Sequence, residues 1–297
     1  MLKKYIDFIT SKATCFYTDE NFNQGKVILP FFRVAVSFIA VVDVLSLGED
    51  FKLLFSEKYT FVPRELMYLF SEYKSYFDSF YEYLQDNNFN SAFFENIRYI
   101  YILFLVLLMF GCFTRVVSFC AIIIQLIIFK SFNELNYGYD QFLTMSLFYC
   151  LVFPVGRFYS VDSLIFKKKN IPDSFNYLRI IQIHLCIVYF FAGIAKALDP
   201  DWWNGISLWR SMSSVYNDYL SISPYIFAVL GIGTVLLETT YALFIWVDKV
   251  RYIILSLCIA MHVGIAYLLG LYSFSAILIV WNITAFYELK LNELESK

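Results

Sequence analysis

The sequence has few charged side chains, and this shortage determines the class of protein. Only 16% of its 297 residues are Asp, Glu, Lys or Arg, whereas 60% are hydrophobic. The mean hydropathy is +0.61. An ordinary soluble domain carries about 25% charged residues. The composition therefore excludes a typical soluble globular protein and predicts an integral membrane protein.

Paired cysteines and clusters of basic residues are also missing. The six cysteines form no CxxC pair, and all except Cys15 lie in or beside apolar segments. A disulfide framework and a metal site are therefore not predicted. The formal net charge is −2 and there is no basic stripe, which excludes a nucleic-acid partner.

The apolar residues form continuous runs such as YILFLVLLMFG and AIIIQLIIF. They lack the alternation with polar residues that a membrane barrel requires. A helix needs about 20 apolar residues to cross the bilayer core, and about eight segments are candidates: 27–47, 95–112, 114–132, 140–156, 175–197, 224–247, 251–270 and 272–288. We predict an all-α integral membrane protein with a single domain over residues 1–297.

Two segments lie outside the predicted spans. Residues 1–26 are polar and contain no cleavable secretory signal, so we expect a cytoplasmic lead-in. Residues 48–93 include YLFSEYKSYFDSFYEYL, in which aromatic and charged residues alternate at helical spacing. This pattern predicts one or two short interfacial helices on the outer surface of the membrane.

The distribution of basic residues predicts the orientation. The clusters at 3–4, 167–169 and 249–251 all fall on the side of the N-terminus. Loops rich in Lys and Arg face the cytoplasm. We therefore predict a multi-pass protein of the plasma (inner) membrane with both termini in the cytoplasm, and we place Lys196 near the outer face.

Ionisable residues inside apolar segments are costly, so each is a candidate functional group. The helical rise predicts how deep each residue lies in the membrane. Asp43, Asp140 and Lys196 are near the outer ends of their helices. His184, Glu238 and His262 are near mid-depth, and Arg33 is in the inner half. These residues predict either a polar pocket that opens outward or structural ion pairs such as Glu238 with Arg33.

The stretch YFFAGIAKALDPDWWNG places Lys196 at the end of an apolar run. Its ammonium could extend to the membrane surface, or its amine could be a reactive base held away from water. Trp202 and Trp203 are predicted as anchors at the membrane interface, where tryptophan is enriched.

The longer stretch IIQIHLCIVYFFAGIAKALDPDWWNGISL resembles the helix-loop signature of the HTTM (horizontally transferred transmembrane) family. This family shares its membrane domain with vitamin K-dependent γ-glutamyl carboxylase. Further blocks are similar in the same order: FFRVAVSFIAVVDVLSL, YTFVPRELM, GYDQFLTMSLFYCLVFPVGRFYSVDS, LLETTYALFIW and HVGIAYLLGLYSFSAILI. In length and layout the chain is similar to short members of the sporulation-delaying protein B type, which are implicated in maturing a peptide toxin.

The resemblance implies a role for Lys196. It matches the lysine that acts as the base in the carboxylase, with a reduced quinone as the implied cofactor. Our hypothesis for the mechanism is that Lys196 is the base or nucleophile, that Asp140 or His262 tunes or relays its proton, and that Asp43 and Glu238 balance the buried charge. Arg33 and His184 would be supporting buried polar groups.

The sequence also departs from the carboxylase. Where the carboxylase has a catalytic histidine, this chain reads NYGYDQF, which places Tyr139 or Asp140 there. The large lumenal portion that holds the carboxylase's peptide substrate is not expected here.

Two functions therefore remain open. The first is an enzyme with carboxylase- or epoxidase-like chemistry that modifies a quinone- or lipid-associated substrate. The second is a non-catalytic accessory or transport factor, which would bind a secreted peptide or a neighbouring membrane protein in the lipid bilayer.

Overall fold

The fold is described by a computed structural model for residues 2–16, 20–56, 58–60, 62–69, 71, 73–130, 136–166, 175–213 and 223–288. In chain order its helices are α1 (Leu2–Thr14), α2 (Glu20–Ser46), α3 (Asp50–Phe55), α4 (Arg64–Leu69), α5 (Lys74–Asp86), α6 (Asn90–Phe110), α7 (Thr114–Gln125), α8 (Gly138–Val152), α9 (Val161–Phe166), α10 (Tyr177–Ala197), α11 (Pro200–Trp203), α12 (Ile206–Met212), α13 (Pro224–Phe244), α14 (Asp248–Leu269) and α15 (Tyr272–Phe286). A π-helical segment, Leu126–Lys130, continues α7. These residues contain no β-strand, which confirms the all-α prediction. The predicted basic cluster at 167–169 lies outside the described residues.

Every predicted apolar segment contains a helix, but the helices differ in length. Five are long and apolar enough to cross a membrane: Gln24–Ser46 within α2, and all of α6, α10, α13 and α14. By contrast, α8 and α15 have 15 residues each. At the usual helical rise this is about 22 Å, less than the hydrocarbon thickness of about 30 Å. The chain is a polytopic helical membrane protein, and the number of eight spans stays a prediction.

Two details of the predicted helices were wrong: the end of α8 and the number of helices in the 48–93 segment. Helix α8 ends at Val152, four residues early, because Phe153 precedes Pro154 and adopts an extended conformation with ψ 155°. The ring of a proline disfavours the helical conformation of the residue before it. The 48–93 segment forms three helices before α6, namely α3, α4 and α5, and not one or two.

The chain forms two compact units. Unit 1 consists of Met1–Ile28 and Ile171–Lys297, and unit 2 consists of Leu29–Asn170. Each unit contains its own buried residues, and each is described separately below. The prediction of a single domain over the whole chain stays a prediction.

Unit 1 is built around helices α10, α13, α14 and α15. Helix α10 packs against α13 and α15, and α14 packs against α15. The close approach of α10 to α13 depends on Gly193, because a Cβ atom there would lie 2.5 Å from the backbone nitrogen of Thr239. Small residues permit such backbone contacts between membrane helices.

In unit 2, α7 packs against both α6 and α8. The loop after α8 is held by Arg33, whose side chain is fully buried. Its Nη1 donates to the Val155 carbonyl at 2.8 Å and its Nη2 to the Tyr159 carbonyl at 2.6 Å. Gly111 leaves room for this group, since a Cβ there would lie 2.7 Å from Arg33 Nη1. Arg33 therefore satisfies backbone carbonyls of its own unit, whereas the carboxylate of Glu238 is paired with Lys196.

The turn between α6 and α7 depends on a residue far along the chain. Phe113, with φ 45°, lies at the start of α7. The Asp162 carboxylate accepts hydrogen bonds from the Phe113 backbone nitrogen at 2.7 Å and the Thr114 backbone nitrogen at 2.8 Å. It also accepts the Thr114 hydroxyl at 2.6 Å. Asp162 thus serves as the cap that α7 lacks locally.

The short helices of the 48–93 segment have their own apolar core. Residues of α5 at helical spacing pack with α4 and with the start of α6; the cluster comprises Met67, Tyr68, Phe77, Tyr81, Leu84 and Phe94. The guanidinium of Arg64 lies over the Phe94 ring at 3.5 Å and also donates to the Phe55 carbonyl. The segment is therefore folded within unit 2 through specific contacts.

The glycine contact gives a direct test of the packing in unit 1. We expect Gly193→Ala to destabilise the protein by about 1–3 kcal/mol, as overpacking usually does, because the new methyl group collides with Thr239. The measurement is the Tm of the detergent-purified protein. Gly264→Ala is the matched control, since nothing lies within 4 Å of a Cβ at that position. Equal Tm values for the two variants would contradict the packing described here.

Candidate functional site

The predicted site residue Lys196 contacts Glu238 directly. The Lys196 Nζ donates to Glu238 Oε2 at 2.5 Å, and the exposed fractions of the two side chains are 23% and 7%. Lys196 lies in the last turn of α10, whereas Glu238 lies in the second half of α13. The contact therefore joins two candidate membrane spans through opposite charges.

The local sequence explains why these two groups meet. Gly193 lies one turn before Lys196 on α10, and the position of its missing Cβ is 2.9 Å from the Glu238 carbonyl carbon. The two backbones are thus closest beside the ion pair. A bulkier residue in the glycine position would separate the helices at the point where the two charges must touch.

The tryptophans beyond α10 have different environments. The Lys196 ammonium lies 5.3 Å from the centre of the Trp202 ring, a cation–π contact. Trp203 is 42% exposed, and its Nε1 donates to the Ala197 carbonyl at 2.8 Å. Their role as interface anchors stays a prediction, and Trp202 in addition belongs to the surroundings of Lys196.

A second group of polar side chains in unit 1 surrounds His262. His262 Nε2 lies 2.7 Å from the Tyr189 hydroxyl. That hydroxyl accepts Asn282 Nδ2 at 2.8 Å, and the Tyr241 hydroxyl donates to Asn282 Oδ1 at 2.9 Å. This chain of hydrogen bonds joins α10, α13, α14 and α15, and we call it the His262 network.

The two ring nitrogens of His262 have different surroundings. Nε2 shares a hydrogen bond with the Tyr189 hydroxyl, and the tautomer of the imidazole sets the direction of this bond. The other ring nitrogen is Nδ1. This atom is buried and has no hydrogen-bond partner among the described residues.

The ion pair and the His262 network influence each other electrostatically. The charge of Lys196 acts on His262, and that of Glu238 acts on Tyr189. Tyr189 and Lys196 are separated by two turns on the same face of α10, or about 10 Å along its axis. Unit 1 thus contains one polar cluster with an ionic part and a neutral hydrogen-bonded part.

The other predicted residues have separate partners. In unit 1, His184 lies edge-on to Trp281, with ring centres 5.1 Å apart. In unit 2, Asp140 Oδ1 accepts Gln125 Nε2 at 3.4 Å, and Asp140 Oδ2 accepts the Tyr137 backbone nitrogen at 3.1 Å.

Asp140 therefore caps the start of α8 in a capping box with Tyr137. The Tyr101 hydroxyl extends this group by donating to Gln125 Oε1 at 2.6 Å. Asp43 is half-buried and acts electrostatically on Tyr101 and Tyr137.

Sequence reasoning missed Tyr189, Tyr241 and Asn282. Asn282 offered a signal, because an amide within the apolar run SAILIVWNITAF is costly in a membrane unless it is hydrogen-bonded. The tyrosines gave none, since the chain has 24 of them and most contribute packing surface. No cluster of three or more metal-ligating side chains occurs among the described residues.

The fold and the site define a class, a polytopic α-helical membrane protein with charged and hydrogen-bonded groups among its spans. The model of the HTTM domain family matches residues 52–289. The chain therefore belongs to the HTTM domain family. No curated protein matches the chain, and no solved structure matches it either.

Removing one charge of the pair tests its contribution. We expect Glu238→Gln to destabilise the protein by about 3 kcal/mol, because it leaves a partly buried ammonium without a counter-charge. The double variant Lys196→Met/Glu238→Gln should regain most of this loss. The measurement is the Tm of each variant in detergent, arranged as a double-mutant cycle.

The exposed Glu82 provides a matched control for this experiment, since Glu82→Gln makes the same chemical change at the surface of α5. It should leave the Tm unchanged. A double variant less stable than Glu238→Gln alone would contradict a direct interaction between the two side chains.

Proposed function

We propose that the protein is a membrane enzyme of the carboxylase-like type that modifies a quinone- or lipid-associated substrate and uses Lys196 as its base. The observation that supports this proposal is the 2.5 Å contact between Lys196 and Glu238. A lysine can act as a base only in its unprotonated form, so it benefits from a nearby group that can take its proton before the reaction. Glu238 is in contact with the amine and is itself almost fully buried.

The proton movements of this mechanism are simple. The Lys196 ammonium first transfers a proton to the Glu238 carboxylate, which leaves a neutral amine beside a neutral acid. This exchange moves one proton along an existing hydrogen bond. The amine then accepts a proton from an acidic group of the substrate, and the ammonium is restored. Glu238 finally passes its proton to water, so the net result is the transfer of one proton from the substrate to water.

A reduced quinone fits the residues around His262. The buried Nδ1 of His262 has no partner among the described residues, and in the tautomer that carries a proton on Nδ1 it would donate to a quinone oxygen. When bound, a reduced quinone supplies an acidic hydroxyl group and reducing electrons. His262 would position that oxygen, while Tyr189 and Asn282 hold the imidazole in one orientation.

Further parts of the proposal concern the arrangement in the membrane. We infer eight spans in the plasma membrane, with both termini in the cytoplasm and Lys196 toward the outer face. Helices α7, α8 and α15 would then be short spans, which a locally thinner bilayer accommodates. We retain Asp140 as an alternative proton relay, Asp43 as a further buried charge, and membership of the peptide-maturing subtype.

A second candidate function is a non-catalytic accessory or transport factor for a secreted peptide. It is supported by two contacts of the Lys196 ammonium, an ion pair with the Glu238 carboxylate and a cation–π contact with the Trp202 ring. A lysine held in this way joins α10 to α13 without any chemistry. The two functions differ in what they require of the side chain, since a structural cation needs only its charge.

Replacement of Lys196 by arginine distinguishes the two functions. We expect the wild-type protein in air-saturated liposomes to speed the oxidation of added menaquinol by dissolved oxygen, which accepts the two electrons, relative to protein-free liposomes. Lys196→Arg should reduce this rate at least tenfold. Arginine keeps the charge but does not release its proton. The rate is followed by ultraviolet absorbance, and Lys74→Arg, in a surface ion pair of α5, is the control. An unchanged rate in Lys196→Arg would contradict the role as base.

Replacement of His262 tests the quinone site independently of turnover. Mass spectrometry of small molecules extracted from the detergent-purified wild-type protein should detect a quinone. His262→Phe should retain at least fivefold less, because the Nδ1–H donor is lost, whereas His184→Phe should retain the wild-type amount. These are the two histidines of the chain. A retained peptide in place of a quinone would support the accessory function.

A further inference from the structure

We propose that a cleft in unit 2 binds the headgroup of a phospholipid that carries both a phosphate and a primary ammonium, as phosphatidylethanolamine does. The cleft has a volume of about 530 Å³ and lies between α3 and the first turns of α6. Ligand pockets in proteins have volumes of about 300–1,000 Å³. The cleft is separate from the Lys196 site in the chain, since its lining residues belong to unit 2.

The position of the cleft places it at the level of lipid headgroups. Arg98, in its wall, lies about two turns into α6 and donates to the carbonyls of Val44 at 3.2 Å and Gly48 at 2.7 Å. The beginning of α6 therefore lies beside the end of α2. Both helices are candidate membrane spans. A cleft at the neighbouring ends of two spans faces the interfacial region of the bilayer.

The charges of the cleft favour a zwitterion over an anion. Its walls carry two cations, Lys52 and Arg98, and two carboxylates, Glu49 and Glu95. The Lys52 ammonium donates to the Glu49 carboxylate at 3.0 Å. This hydrogen bond raises the pKa of Lys52. The cations of the cleft therefore attract a phosphate, and its carboxylates attract an ammonium. A purely anionic headgroup would be repelled by Glu49 and Glu95.

The chemistry of the carboxylates also selects the type of ammonium. A primary ammonium donates three hydrogen bonds, which the oxygens of Glu49 and Glu95 can accept. A quaternary choline donates none and would leave these acceptors to water. We therefore assign the cleft to an ethanolamine-type headgroup.

The remaining walls are apolar, as an amphipathic ligand requires. Phe51 is buried, and the Arg98 guanidinium lies 5.5 Å from the centre of its ring. Leu53 and Tyr99 are 48% and 64% exposed. These exposed surfaces lie next to the charged groups, so the glycerol and the first acyl carbons of a lipid can cover them while its headgroup contacts Lys52 and Glu95.

The test is native mass spectrometry of the full-length detergent-purified protein titrated with phosphatidylethanolamine. We expect one lipid per chain to bind with an affinity at least threefold higher than that of phosphatidylglycerol or phosphatidylcholine. Lys52→Gln and Glu95→Gln should each weaken this binding at least threefold. Both side chains are exposed, so these changes leave the fold intact, which an unchanged Tm verifies.

Lys74→Gln is the matched control, since Lys74 belongs to the same segment and pairs with Asp78 outside the cleft. It should bind the lipid as the wild type does. Equal binding of the three lipids, or equal loss in Lys74→Gln and Lys52→Gln, would overturn the assignment. So would binding of soluble glycerophosphoethanolamine as strong as that of the lipid, because the apolar walls would then contribute nothing.

Discussion

The ammonium of Lys196 and the carboxylate of Glu238 can stay together only while the backbones of α10 and α13 are in close contact. Gly193 provides that contact, since the space its Cβ would fill is occupied by Thr239 and by the backbone of Glu238. Packing and electrostatics are therefore coupled at one level of unit 1. The glycine permits the ion pair, and the ion pair holds together two helices that lipid tails would otherwise separate at little cost.

In the His262 network of unit 1, the polar groups are satisfied by hydrogen bonds between uncharged side chains. Tyr189, Tyr241, Asn282 and His262 form a sequence of hydrogen bonds that joins four helices. In a bilayer such groups find no water, so each must find a protein partner. The Nδ1 of His262 is the exception among the described residues of this network. This nitrogen is the atom that would contact the proposed quinone.

The sequence predicted the helices better than it predicted which side chains interact. The apolar runs and the polar segments between them located every long helix. Charged side chains and unpaired backbone groups are costly in a membrane, and this cost produces long apolar runs in the sequence. The partner of Glu238 was not predictable, since Lys196 lies 42 residues away and the sequence contains no signal for which faces of α10 and α13 meet. Arg33 shows the same limit, because its charge was evident but its carbonyl partners depend on the path of the loop after α8.

The Asp162 cap has a consequence for the order in which the protein is made. The backbone donors of Phe113 and Thr114 at the turn between α6 and α7 obtain their acceptor from a residue 49 and 48 positions later. A nascent chain that has emerged only as far as α7 therefore has two helices but no finished turn. The acceptor of those donors belongs to α9, which is synthesised after α8. The turn between α6 and α7 can thus be completed only when the chain as far as α9 is present.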